Sequence, residues 1–127
     1  MLKVLIPTSP GFQQYETSVK KLYEKNQKSI SDTNTFEFIR DNTWFYLFVL
    51  ENKAIGAIYY FMDDGKLFLN GFAIRKNMKA NLEALILSTT WFQKPIYAEA
   101  QNRASALCLL RCGFKRKAGN LFFLENS

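Results

Sequence analysis

With 127 residues the chain is the size of one domain, large enough to bury about two-thirds of its unfolded surface without disulfide or metal staples. It has no histidine, which excludes a Ser–His or Cys–His nucleophile pair, and its two cysteines sit four residues apart, too close to brace a fold. The net charge of +6 is uneven: residues 1–62 carry seven bases against six acids and residues 63–127 ten against five, so an anionic partner is expected at the C-terminal half.

In chain order, Lys3–Ile6 read as a short strand that stops at Pro7, an apolar run too short for a secretory signal. Ser9 followed by Pro10 predicts an N-cap and a first helical proline, opening a helix to about Lys25 whose apolar stripe is Phe12, Tyr15, Val19, Leu22 and Tyr23. Asn34 and Glu37 have capping-box spacing and predict a second, shorter helix through Phe38 and Ile39. From Trp44 the pattern shifts to three strand-length apolar runs, WFYLFVLE, AIGAIYYFM and KLFLNGFAI, separated by the turn-type clusters Glu51-Asn52-Lys53 and Asp63-Asp64-Gly65. These predict an antiparallel meander, and their near-continuous hydrophobicity predicts cover on both faces.

Leu82, Leu85, Ile86 and Thr89 mark a helix to about Phe92, which Pro95 ends; IYAEA is the next strand. Asn102 then stands as an N-cap, Gly113 as the left-handed residue closing a helix and Phe114 as the apolar residue behind it, before a basic turn and a final strand, or strands, around LFFLE. The whole is expected to be a single α+β (α/β three-layer) domain over residues 1–127, with a mixed, mostly antiparallel central sheet and helices on both faces. No apolar stretch approaches the roughly 18 residues of a membrane span, so a cytoplasmic protein without a membrane partner is the expectation. Cys108 and Cys112, among Leu107, Leu109 and Leu110, read as small core residues rather than metal ligands. The aromatics at 44–48 and 59–61 suit a buried sheet, and with no groove-reading helix or RNP-like pattern nucleic acid is not the expected partner.

Asn102, a small residue at Ser105 and Gly113-Phe114 eleven and twelve positions after the Asn, following the strand IYAEA and this order of elements, resemble the closing motif of the GNAT family of N-acetyltransferases. The element order matches over the whole chain; at residue level the likeness is specific from Ile96 to Lys115. The resemblance implies the GNAT-like acyl-CoA N-acyltransferase fold and transfer of an acetyl group from acetyl-CoA, as co-substrate, to an amine. It implies that the strand LFLNGFAI splays from its neighbour after Leu69 and offers the backbone of Phe72, Ala73 and Ile74 to the pantetheine arm. It also implies cofactor contacts from Arg75, Lys76, Lys79, Ala80, Asn102 and Ser105.

The sequence departs from the family in two places. RKNMKANLEAL lacks the glycines of the family's pyrophosphate loop, so Arg75, Lys76 and Lys79 would supply charge in place of close backbone approach, and Leu109 stands where the family has the Tyr that protonates the leaving thiolate. Candidate catalytic residues are therefore Asn102 for orientation, Glu99 as base, and Tyr97 or Tyr59 as substitute acid. The amine acceptor, small molecule or protein, is not encoded in a readable pattern, and a homodimer is one expected assembly. The second reading of the same departures is a catalytically degenerate GNAT-fold protein with a binding or structural role, resembling short chains of bacteriophages, some of them virion-associated.

Overall fold

The computed structural model describes residues 2–27, 33–73 and 78–125. Seven strands form one sheet in the order β1-β2-β3-β4-β5-β7-β6. The strands are β1 (Leu2–Leu5), β2 (Trp44–Leu50), β3 (Lys53–Asp63), β4 (Lys66–Ala73), β5 (Ile96–Glu99), β6 (Lys115–Ala118) and β7 (Leu121–Leu124). Helices α1 (Phe12–Asn26) and α2 (Phe36–Asn42) pack on one face; α3 (Met78–Thr89) and α4 (Arg103–Arg111) serve the other. Every neighbouring pair is antiparallel except β4 and β5, which run parallel because α3 carries the chain across between them. Among the described residues no helix is long and apolar enough to cross a membrane.

Strand alternation divides the core. Phe45, Leu47, Val49, Ala57, Tyr59 and Phe72 point to α1 and α2, where they meet Phe12, Val19 and Tyr23, while Tyr60, Leu69, Ile96, Ala98 and Phe122 point the other way, toward Leu85 and Leu109. The hairpins form where the turn chemistry asks for positive φ: Glu51 and Asn52 (50° and 62°) join β2 to β3, and Asp64 with Gly65 (51° and 74°) joins β3 to β4. Phe48 pairs with Gly56 but Val49 with Ala54, so Ile55 is the extra residue of a bulge.

Three expectations are corrected. The first long helix starts at Phe12, not at Pro10: the Ser9 hydroxyl accepts from the Ile6 N–H, which builds a turn, and Gly11 in the left-handed region takes the N-cap. The second helix is capped by Thr35, one residue after the expected Asn34, with Thr35 Oγ1 accepting from Phe38 N–H. The basic segment after Phe114 is strand β6, held at the sheet edge by β7, where Lys115, Arg116 and Lys117 are exposed and suit an edge that must not recruit another strand.

Candidate functional site

The site begins where two strands part. β4 pairs with β5 at only three positions, Leu67↔Ile96, Phe68↔Tyr97 and Leu69↔Ala98, then runs four residues further, still laddered to β3 as far as Gly56↔Ala73. β5 leaves because its backbone is claimed elsewhere. Ala100 N–H donates to Asn120 O on the β7 side (2.9 Å), and Gln101 and Asn102 N–H both donate to the Ser105 hydroxyl (2.9 and 3.1 Å). The first continues the β5–β7 ladder, while Gln101 N–H, which alternation turns to the β4 side, is taken by Ser105 and is not left for β4.

The resulting slot has a volume of about 220 Å³ and is walled by β4 from Leu69 to Ala73, by Asn81 and Leu85 of α3, and by the first turns of α4. Sites enclosing a whole drug-sized ligand run to roughly 300–1,000 Å³. This slot therefore suits a thin arm with its bulkier end outside.

Inside it, Asn70 Oδ1 accepts from Gly71 N–H (2.9 Å), so a carboxamide oxygen of the strand's own side chain sits where a carbonyl oxygen of a bound arm would accept the same hydrogen bond. Glu99, exposed at the end of β5, is the one carboxylate among the described lining residues.

Asn102 and Ser105 line the slot as a capping box. Asn102 Oδ1 accepts from Ser105 N–H (2.9 Å), which orients the amide and turns its Nδ2 away; Nδ2 has no partner among the described residues. At the other end of α4, Gly113 (φ 101°) sets a left-handed turn in which Phe114 N–H reaches Leu109 O and Gly113 N–H reaches Leu110 O, burying Phe114. Asn102→Ala should thus cost about 1 kcal/mol of stability, read as a lower thermal midpoint, while Asn102→Asp, which keeps the accepting oxygen, should melt close to the parent.

The other expected site residues divide. Phe72 and Ala73 stand on the parted length of β4 and line the slot. Ile74, Arg75 and Lys76 lie outside the described residues. Lys79 is exposed on the first turn of α3, and Ala80 packs against the cluster of Phe48, Ile55 and Ala84 without itself lining the slot. Tyr97 lies on the sheet face opposite Ile96 and Ala98, level with Phe68 where β4 and β5 are still paired, and is not in the lining. Tyr59 is buried among Phe45, Phe61 and Phe72 under α1 and is likewise not in the lining.

Leu109, buried and lining the slot, offers no proton. Burial raises the thiol pKa of Cys108, which also lines the slot, and pushes that of Cys112 up to about 11, so neither is a thiolate at neutral pH. Sequence reasoning passed over Asn70, a polar residue inside an apolar strand run, and Asn81, at the edge of an apolar helix run, and that placement was the signal available.

No family model matches the sequence, and no curated protein matches it. Solved structures do. Ribosomal-protein-S5-alanine acetyltransferase from Vibrio fischeri superposes with a TM-score of 0.70 at 13% identity, over 98% of this chain and 93% of that one. The acetyltransferase of the GNAT family from Bacillus anthracis gives 0.65 at 14%, over 96% and 92%.

This chain has the GNAT fold.

A mutant AtaT toxin bound to the C-terminus of the antitoxin AtaR and acetyl-CoA is also similar, with a TM-score of 0.61 at 12% identity, over 98% of this chain and 91% of that one. In this GNAT fold the Asn102–Ser105 box takes the Gln101 and Asn102 N–H groups just where β5 parts from β4.

Proposed function

We propose that the protein is an N-acetyltransferase that takes an acetyl group from acetyl-CoA and delivers it to an amine. The observation that carries this reading is the slot between β4 and β5, which opens at Leu69 and exposes a strand edge along which an amide-bearing arm can pair. The GNAT fold supports it, as does a similar solved structure that holds acetyl-CoA.

The chain's own residues divide the work as follows. Gly71 N–H, released by Asn70, donates to the thioester carbonyl and stabilises the negative charge that develops on its oxygen. Asn102 Nδ2 orients the arm. The amine nitrogen attacks the carbonyl carbon, forming C–N as C–S breaks, and Glu99 accepts the amine's proton. With Leu109 at the donor position, CoA departs as the thiolate, which an ordinary thiol pKa of about 8.5 makes tolerable near neutral pH; the roughly 10²–10⁴-fold that a positioned acid contributes is forgone. α3 has no acid in its first turn and carries Lys79 there, an arrangement suited to the phosphates outside the slot. Acceptor, cellular location and assembly belong to this proposal: an amine on a small molecule or a protein, in the cytoplasm, with a homodimer as the assembly to test.

Leu109 favours a second reading, a GNAT-fold protein that binds without turnover. Calorimetric titration with acetyl-CoA, followed by thiol release in the presence of amines, separates the two. Saturable binding in the micromolar range with amine-dependent CoA release is the expected result; binding without release identifies the degenerate protein, and silence at millimolar acetyl-CoA overturns both uses of the slot.

A further inference from the structure

On the sheet face that carries Glu99, four rings stand directly opposite one another across four strands: Phe61↔Phe68, Phe68↔Tyr97 and Tyr97↔Phe123 are register partners. Their centroids are 5.9, 5.7 and 5.0 Å apart, and each ring is only half-buried. Two ammonium groups converge on the middle of this row, Lys66 Nζ at 5.3 Å and Lys117 Nζ at 5.0 Å from the Tyr97 centroid.

Among the described residues neither lysine has a carboxylate at ion-pair distance, and Asp63, the register partner of Lys66, makes no ion pair with it. A ring face attracts each cation, and an anion beside the ring is drawn by both charges. Tyr97 and Glu99 are two residues apart on one face of β5, about 7 Å. Tyr97, flanked in the row by Phe68 and Phe123, thus carries both cations at its ring, and the carboxylate that lines the slot stands next along the same face of β5.

We propose that the amine acceptor is a molecule that carries a carboxylate or phosphate beyond an aromatic or similarly flat apolar segment, and that Lys66 and Lys117 grip this anion over Tyr97 while the amine lies at Glu99. The inference rests on the acetyltransferase reading and names the class of its second substrate. It assigns Tyr97 a place under the acceptor rather than a proton to donate.

The test compares phenethylamine, para-aminoethylbenzoate and tyramine phosphate as acceptors. The two anionic amines are expected to show kcat/KM about tenfold or more above phenethylamine, with the larger of the two naming the acid group. In the K66Q/K117Q double variant that ratio should fall to about one, through KM. Because each comparison is a ratio within one protein sample, partial unfolding does not mimic it. Equal kcat/KM for neutral and anionic amines in the parent, or an unchanged ratio in the variant, overturns the proposal. Binding of para-ethylbenzoate, which has no amine to acetylate, provides a readout without turnover. About tenfold weaker binding in the variant supports the clamp even if no amine is acetylated, a result that would overturn the enzyme reading alone; equal binding overturns the clamp.

Discussion

Glu99→Gln is expected to lower kcat for acetyl transfer by roughly 10²–10⁴-fold while leaving the affinity for acetyl-CoA within about twofold of the parent. The argument is one of supply. Among the described residues that line the slot, Glu99 is the one carboxylate; there is no histidine, and both cysteines are held as thiols by burial. An amine that attacks a thioester must lose a proton, and no other described lining side chain offers a base to take it. Glutamine preserves size and hydrogen-bonding capacity, so a change in acetyl-CoA binding is not expected. Single-turnover measurements at saturating acetyl-CoA, with calorimetry on the same preparations, check both halves. A Glu99→Gln variant that acetylates at the parent rate would remove Glu99 from the chemistry and leave water as the base.

Much of this site was legible in the sequence wherever the deciding interactions are local. The Asn102 cap and the Gly113 turn close on groups within a few residues of themselves, so local signals announce them, and so do the two hairpins with their positive-φ pairs, whereas Ser105 is reached only through the family resemblance. What failed was competition between local signals. Ser9 is a good cap, yet its hydroxyl accepts from Ile6 N–H before the helix begins, and Thr35 rather than Asn34 supplies the cap oxygen of α2. The face occupied by Tyr97 was illegible for a different reason. IYAE is apolar at three successive positions, and which parity faces α3 and α4 is decided by the distant partners Leu67 and Phe122. The slot itself is non-local, since its walls β4 and β5 pair residues 29 apart and β5 is held on its other side by β7 as far as the Ala100–Asn120 bond. No window of sequence around β4 or β5 contains it.

The largest stability effect is expected at Gly56, and it reaches the slot. A Cβ placed there would stand 2.4 Å from Phe72 O and 3.0 Å from the Ala73 Cα, both backbone atoms of the neighbouring strand that have no rotamer to yield. Gly56→Ala therefore forces β3 and β4 apart where β4 has already lost β5, so the displaced length of β4 has no second neighbour to hold it. Overpacking costs typically 1–3 kcal/mol and more where the surroundings cannot relax, and backbone as the obstacle puts this site at the upper end, about 3 kcal/mol. Gly65→Ala is the control. Its φ of 74° imposes about 1–2 kcal/mol of left-handed strain, but nothing lies within 4 Å of its Cβ. Denaturant unfolding should rank Gly56→Ala below Gly65→Ala, and under conditions where both are folded, acetyl-CoA affinity should fall about tenfold or more in the first and stay near the parent in the second. If Gly56→Ala binds acetyl-CoA as the parent does, the edge of β4 is not what receives the arm.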